Sequence, residues 1–155
     1  MKENESFLEH KARKRKGSQG KSSETAVHSA LVKFKAGNPC FDFDRNYDTR
    51  SAGALLPAGV SDYTLFCRGN SYALAVKEIS KGTRLPKFKQ LPRLNRRTYA
   101  GVFCLVLVHF VEVDAWYLKG VDWFLVRPAA SWDFKDETKD KFATAEAALK
   151  ERLRL

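Results

Sequence analysis

The sequence predicts a single α/β domain whose central mixed β-sheet is flanked by helices. Apolar residues at helical spacing open and close the domain, at Ala26, Val27, Ala30, Leu31 and Phe34 near the start and over 144–153 at the end. Two strand-like runs, 60–67 and 71–79, flank a Gly69-Asn70 turn signal. The run GVFCLVLVHF over 101–110 is nearly all apolar, as expected of a strand covered on both faces. A chain of 155 residues, 44% of them hydrophobic, buries one core of ordinary size rather than two.

Residues 1–21 are polar, lack periodicity and run into Gly-Ser-Gln-Gly, so they form a basic arm ahead of a domain over 22–155. Ser22 or Ser23 caps a helix running to about residue 36, which Gly37-Asn38-Pro39 ends. Phe41 and Phe43 fall on one face and Asp42 and Asp44 on the other, making 40–47 a strand. Two Gly, three Ala and a Pro make 48–59 a long loop, and Asp42, Asp44 and Asp48 read as solvent-facing carboxylates. Residues 86–98 favour a short basic helix whose start is blurred by Pro86 and Pro92. The runs 114–119 and 121–127 read as two short aromatic-rich strands around Gly120. The resulting order is α β β β α β β β α, without an internal repeat.

Twenty-eight Lys and Arg against 18 Asp and Glu give a net charge of +10. That excess points to a polyanion partner, nucleic acid before an anionic membrane. No apolar run approaches the roughly 20 residues of a membrane span, and no apolar stretch follows the N-terminal charges, so a cytoplasmic protein is expected. Cys40, Cys67 and Cys104 are odd in number and widely spaced within apolar segments, which suits reduced core thiols. Without a CxxC pair, and with His10, His28 and His109 scattered, a zinc site is not expected. The charge is uneven. Residues 1–21 hold seven basic against three acidic residues, and 68–97 hold nine against one, whereas 133–155 balance six with six. The candidate phosphate contacts are therefore Lys11, Arg13, Lys14, Arg15 and Lys16 in the arm, and Lys81, Arg84, Lys87, Lys89, Arg93, Arg96 and Arg97 in the central stretch. The arm reads equally well as a solvated tail.

Asp62 and Lys77 stand on the two sides of the proposed hairpin, where they become neighbours on one sheet face. A lysine inside an apolar strand is costly without an anion to meet. Alone, the pair is equally a cross-strand salt bridge. The wider pattern reads Pro57-x-Gly59-x-Ser61-Asp62, then 12 residues, then Ala75-x-Lys77. It resembles the core of the PD-(D/E)xK nuclease superfamily, and most closely the Holliday junction resolvases of the RecU and archaeal-resolvase type. A more distant similarity is to the VRR-type nuclease module, through Gly59-Val60-Ser61-Asp62. Glu24 after Gly20-Lys21-Ser22-Ser23, Gln90 after Phe88-Lys89, and Gly101-Val102-Phe103 match further pieces of the pattern in order, over roughly 18–126. The resemblance implies a restriction-endonuclease-like core.

What the resemblance implies for chemistry is hydrolysis of a phosphodiester with Mg²⁺, or Mn²⁺ in its place. A hard cation neutralises charge building on the phosphate and lowers the pKa of a bound water. By the resemblance, Asp62, an acidic residue at position 75 and the Val76 carbonyl would ligate the cation, and Glu24 would approach from its helix. Lys77 would orient the attacking water and Gln90 would position Lys77 or the substrate. The chain departs from the pattern at position 75, which is Ala75. Glu78 is a poor substitute, because alternation along a strand points it away from Lys77. A form inactivated by Glu-to-Ala replacement is the favoured explanation, and a natural pseudo-nuclease that only binds DNA is the other. The expectation is a structure-selective endonuclease resolving four-way junctions in recombination and repair, from a phage or its host. A related nuclease acting on flap or linear DNA is the alternative. A non-catalytic nucleic-acid binder, such as a packaging or ribosome-associated protein, is the reading from another class. Branched double-stranded DNA is the expected partner. Two matched nicks require two sites and hence a homodimer, for which Trp116, Tyr117, Trp123, Phe124, Leu55 and Leu56 offer interface material.

Overall fold

The computed structural model describes residues 22–46, 59–127 and 130–155. The basic arm over 1–21, with Lys11, Arg13, Lys14, Arg15 and Lys16, lies outside the described residues, as do Asp48, Leu55 and Leu56 of the anticipated loop. In chain order the elements are α1 (22–37), β1 (Phe41–Arg45), β2 (Tyr63–Cys67), β3 (Asn70–Ile79), β4 (Arg84–Pro86), α2 (Leu91–Tyr99), β5 (Phe103–Phe110), β6 (Ala115–Gly120), α3 (Val121–Leu125), β7 (Ser131–Asp133), β8 (Lys141–Phe142) and α4 (Ala145–Leu153). Six strands form the central sheet in the order β1-β2-β3-β5-β6-β8, while β4 and β7 pair separately. Every pairing is antiparallel except β3 with β5, which run parallel from Tyr72↔Phe103 to Ile79↔Phe110. A parallel neighbour needs a crossover, and β4 with α2 supplies it.

Helices cover both faces. Val27, Ala30, Leu31 and Phe34 of α1, with Ala148 and Leu149 of α4, pack on Tyr63, Leu65, Leu74, Leu105 and Leu107. The opposite face sets Ala73, Ala75, Val106 and Val108 against Leu85, Leu94, Phe124, Trp132 and Phe134. Because β5 contributes alternate residues to both cores, its sequence is apolar except at His109.

Several expectations need correction, among them that of three core thiols: Cys67 and Cys104 are buried but Cys40 is exposed. The β2–β3 turn is Arg68-Gly69, not Gly69-Asn70, since Cys67 pairs with Asn70. Its central residues have φ of +50° and +79°, the positive values that a tight hairpin following the strand twist requires. The run 121–127 is not a strand but begins with α3, whose Val121 and Phe124, three apart, are both buried. The basic helix expected over 86–98 forms as α2 but starts only at Leu91, because Pro86 closes β4 and Pro92 sits in the first turn of α2, where a missing N–H costs nothing. The order therefore gains β4, β7 and β8. Finally, Trp116, Tyr117 and Phe124 are buried within one chain at 5%, 4% and 1% exposure, and so offer no surface to a partner, while Trp123 is half-buried.

The hairpin yields a first prediction. Gly69→Ala places a Cβ at φ +79°, and thermal unfolding is expected to show a loss of about 1 kcal/mol. An unchanged Tm would mean that the turn relaxes.

Candidate active site

Asp62 sits just ahead of β2 and is fixed from two sides. Its N–H donates to the Leu74 carbonyl at 2.9 Å, and its carbonyl accepts the Asn46 N–H at 2.9 Å. The Asn46 side-chain amide donates to the Ser61 carbonyl (3.0 Å), Ser61 Oγ (3.1 Å) and Thr64 Oγ1 (3.2 Å), which pins the end of β1 to the turn that carries Asp62. The Asp62 carboxylate accepts the Val76 N–H at 2.6 Å. Tyr63 pairs with Leu74, so extending that register by one residue sets Asp62 across from Ala75.

Lys77 shares the face of Ala75, two residues along. Its ammonium donates to Gln90 Oε1 and lies 5.1 Å from the centre of the Phe88 ring. Burial holds its pKa below the ordinary lysine range, and the nearby Asp62 carboxylate opposes that shift. Gln90 is the N-cap residue of α2, but its side chain makes no cap bond and reaches Lys77 instead. Asp62, Ala75, Lys77 and Gln90 thus come together from the hairpin and the crossover.

Glu24 approaches from the first turn of α1. Its carboxylate lies 3.0 Å from the Arg45 guanidinium, and its carbonyl accepts the Tyr63 hydroxyl at 3.4 Å. That hydroxyl is pushed up in pKa, first by burial. Arg45 opposes the rise, and Glu24 and Asp62 add to it, so these three charges gather at one end of the sheet. Glu78 points to the other face, where its carboxylate accepts Ser23 Oγ and the Ser23 N–H (3.3 Å for the latter). Ser23 Oγ also lies 2.7 Å from His109 Nδ1, and the His109 ring stacks on Trp116 at 4.0 Å. Glu78 therefore secures the start of α1 and does not stand in for a carboxylate at position 75.

The central basic residues are not one patch. Lys87 and Lys89 flank Phe88 and so border Lys77, and Lys81 lies in the turn after β3; all three are exposed. Arg84 is exposed and paired with Asp133 at 3.2 Å. Arg93 lies one turn beyond Gln90. Arg96 and Arg97 occupy the last turn of α2, where they complement the helix dipole about 10 Å along the axis from Gln90. Sequence reasoning missed Arg45 and Asn46, and it marked Phe88 only as a neighbour of Gln90 and not as the ring beneath Lys77. Their places depend on strand register and on the crossover, and Asn46 bears no mark that separates it from an ordinary strand-end residue.

The sequence matches no known protein family and no curated protein. Its structure is similar to that of Hjc, a Holliday junction resolvase of the archaeal hyperthermophile Archaeoglobus fulgidus. The TM-score is 0.52 and the identity 19%, over 81% of this chain and 98% of that one. No helix among the described residues is long and apolar enough to cross a membrane. The protein is a single α/β domain with a mixed central sheet flanked by helices, and its fold is that of an archaeal Holliday junction resolvase.

Proposed function

We propose that the protein binds branched double-stranded DNA as a structure-selective endonuclease of the Holliday junction resolvase type, here lacking the carboxylate at position 75. The supporting observation is the shared face of Asp62, Ala75 and Lys77, with Gln90 bonded to Lys77 on a resolvase fold. With alanine at position 75, the donor set among the described residues does not fit Mg²⁺. Among the described residues no three His, Cys, Asp or Glu side chains converge. Ala75 is fully buried and apolar, Glu24 is engaged by Arg45, and Asp62 accepts a backbone N–H. In this form the site binds and orients: Lys77, held by Gln90, presents positive charge, and the exposed Lys81, Lys87 and Lys89 meet the phosphate backbone without reading bases. The alternative of a natural DNA-binding pseudo-nuclease is favoured by the same Glu24–Arg45 pairing, which leaves the acidic helix residue satisfied without a cation.

Two nicks on a two-fold junction call for two chains. With the late aromatics in the core, the large apolar residues exposed among the described residues are Val32, Phe66, Tyr99, Phe103, Val113, Leu125 and Val126, and these offer surface to a partner copy. Titration of four-way, flap and linear DNA with the chain is expected to show tightest binding to the four-way form, with two 17.6 kDa chains per junction. Affinity should fall steeply with salt as phosphate contacts release counterions. Equal affinity for all three DNAs would sink the junction reading, and a flat salt profile would sink the basic-surface reading.

A further inference from the structure

We propose that Arg45 is a phosphate-binding residue, and that on DNA binding its guanidinium exchanges the Glu24 carboxylate for a backbone phosphate. The inference rests on the DNA-binding reading above and adds to it a specific contact. Arg45 closes β1 at the parity of Phe41 and Phe43, which pack on the core beneath α1, so its side chain reaches Glu24 in the first turn of that helix. The two side chains are 47% and 44% exposed, so water and phosphate alike have access to the pair. An ion pair so open is weak and is screened by salt. A phosphodiester offers the planar guanidinium two oxygens in the forked geometry that makes charge-assisted bonds strongest.

Position strengthens the argument. Arg45, Glu24 and Asp62 all act on the Tyr63 hydroxyl, so Arg45 stands at the end of the sheet that carries Asp62. With alanine at position 75, the carboxylates of Glu24 and Asp62 are matched in number by Arg45 and Lys77. The cluster has no surplus negative charge to repel a phosphate. Once released, Glu24 remains in the first helical turn, where the positive end of the helix dipole favours a carboxylate. The exchange therefore strands no charge.

The sign of one substitution separates this role from a metal-ligating one. Binding of a fluorescent four-way junction to the full chain is measured in EDTA over a range of salt. Glu24→Gln removes the competitor for Arg45 and is expected to tighten binding about threefold. Arg45→Ala is expected to weaken it and to lower the slope of log K against log salt by about one. Arg45→Gln replaces it if alanine lowers Tm. An E24Q affinity at or below that of the parent, a parent-like slope in the Arg45 variant, or a requirement for Mg²⁺ overturns the inference and leaves the DNA-binding reading standing. Failure of the parent to bind DNA in EDTA and in Mg²⁺ alike removes that reading itself.

Discussion

Ala75→Glu is expected to nick four-way DNA in Mg²⁺ at least about a hundredfold faster than the parent, and to be inert in EDTA. Loss of a residue that merely supports a metal ligand costs about 10- to 100-fold, so regaining a ligand is worth no less. The geometry is suitable: position 75 lies across from Asp62 and two residues before Lys77, on the same face. The substitution also carries a physical penalty that serves as a second readout. Ala75 has 0% exposure, and a carboxylate placed there leaves water for apolar surroundings, with only Lys77 nearby to compensate. In EDTA the variant is expected to lose about 3 kcal/mol. At about 2–4 °C per kcal/mol for a chain of this size, its Tm falls by roughly 10 °C, and Mg²⁺ restores part of the loss. A folded A75E protein that binds junctions yet stays inert in Mg²⁺ and Mn²⁺ would remove position 75 from the site.

Lys119→Ala is expected to be strongly destabilising although it lies outside the site. The Lys119 side chain is 2% exposed in a strand that otherwise buries Trp116, Tyr117 and Leu118. Its ammonium donates to the Lys139 carbonyl at 2.8 Å, lies 3.1 Å from Glu137 and 3.3 Å from Asp140, and sits 5.3 Å from the Trp123 ring centre. The lysine thereby fastens the segment before β8 to the sheet. Alanine leaves that carbonyl without its donor and two acidic groups without their cation, one of them, Glu137, only 18% exposed. Removing one member of a buried ionic group costs about 3–5 kcal/mol, and the partial exposure of the carboxylates places this case near the lower figure. Urea unfolding should show it as a shifted midpoint. The double variant Lys119→Met with Glu137→Gln should recover part of the loss, because it removes the cation and the more buried of its two carboxylates, leaving the more exposed Asp140. A midpoint within a few tenths of a kcal/mol of the parent would show that the segment is held by other means.

Local signals in the sequence disclosed the parts of the fold that local chemistry decides. Strand β5 is legible because burial on both faces leaves an apolar run broken only by His109, and the β2–β3 hairpin because Gly69 supplies a positive φ. The strands β4, β7 and β8 are two or three residues long and exist through partners distant in sequence, so no period marks them. Helix α3 spans only five residues, too few for its aromatic-rich run to be told from a strand by spacing. Trp116 and Tyr117 look like surplus apolar surface until α4 and Phe134 cover the two faces of β6. At the site, Asp62, Lys77 and Gln90 were legible as an ordered pattern, with one departure at Ala75. Arg45 was not, since its meeting with Glu24 requires the end of β1 to lie beneath the first turn of α1.

The margins of the central sheet limit how copies of this protein can join. β8 contributes two residues at one side, too short a row of free amides and carbonyls to template a further strand. β1 bounds the other with Phe-Asp-Phe-Asp-Arg, and Asp42 there is already paired with Lys35 of the neighbouring helix. Charged residues on so short a strand resist edge-to-edge addition. Continuation of one sheet into another is thus disfavoured at both sides, and any two-fold axis between copies is expected to pass through helix and loop surfaces rather than through a shared β-ladder.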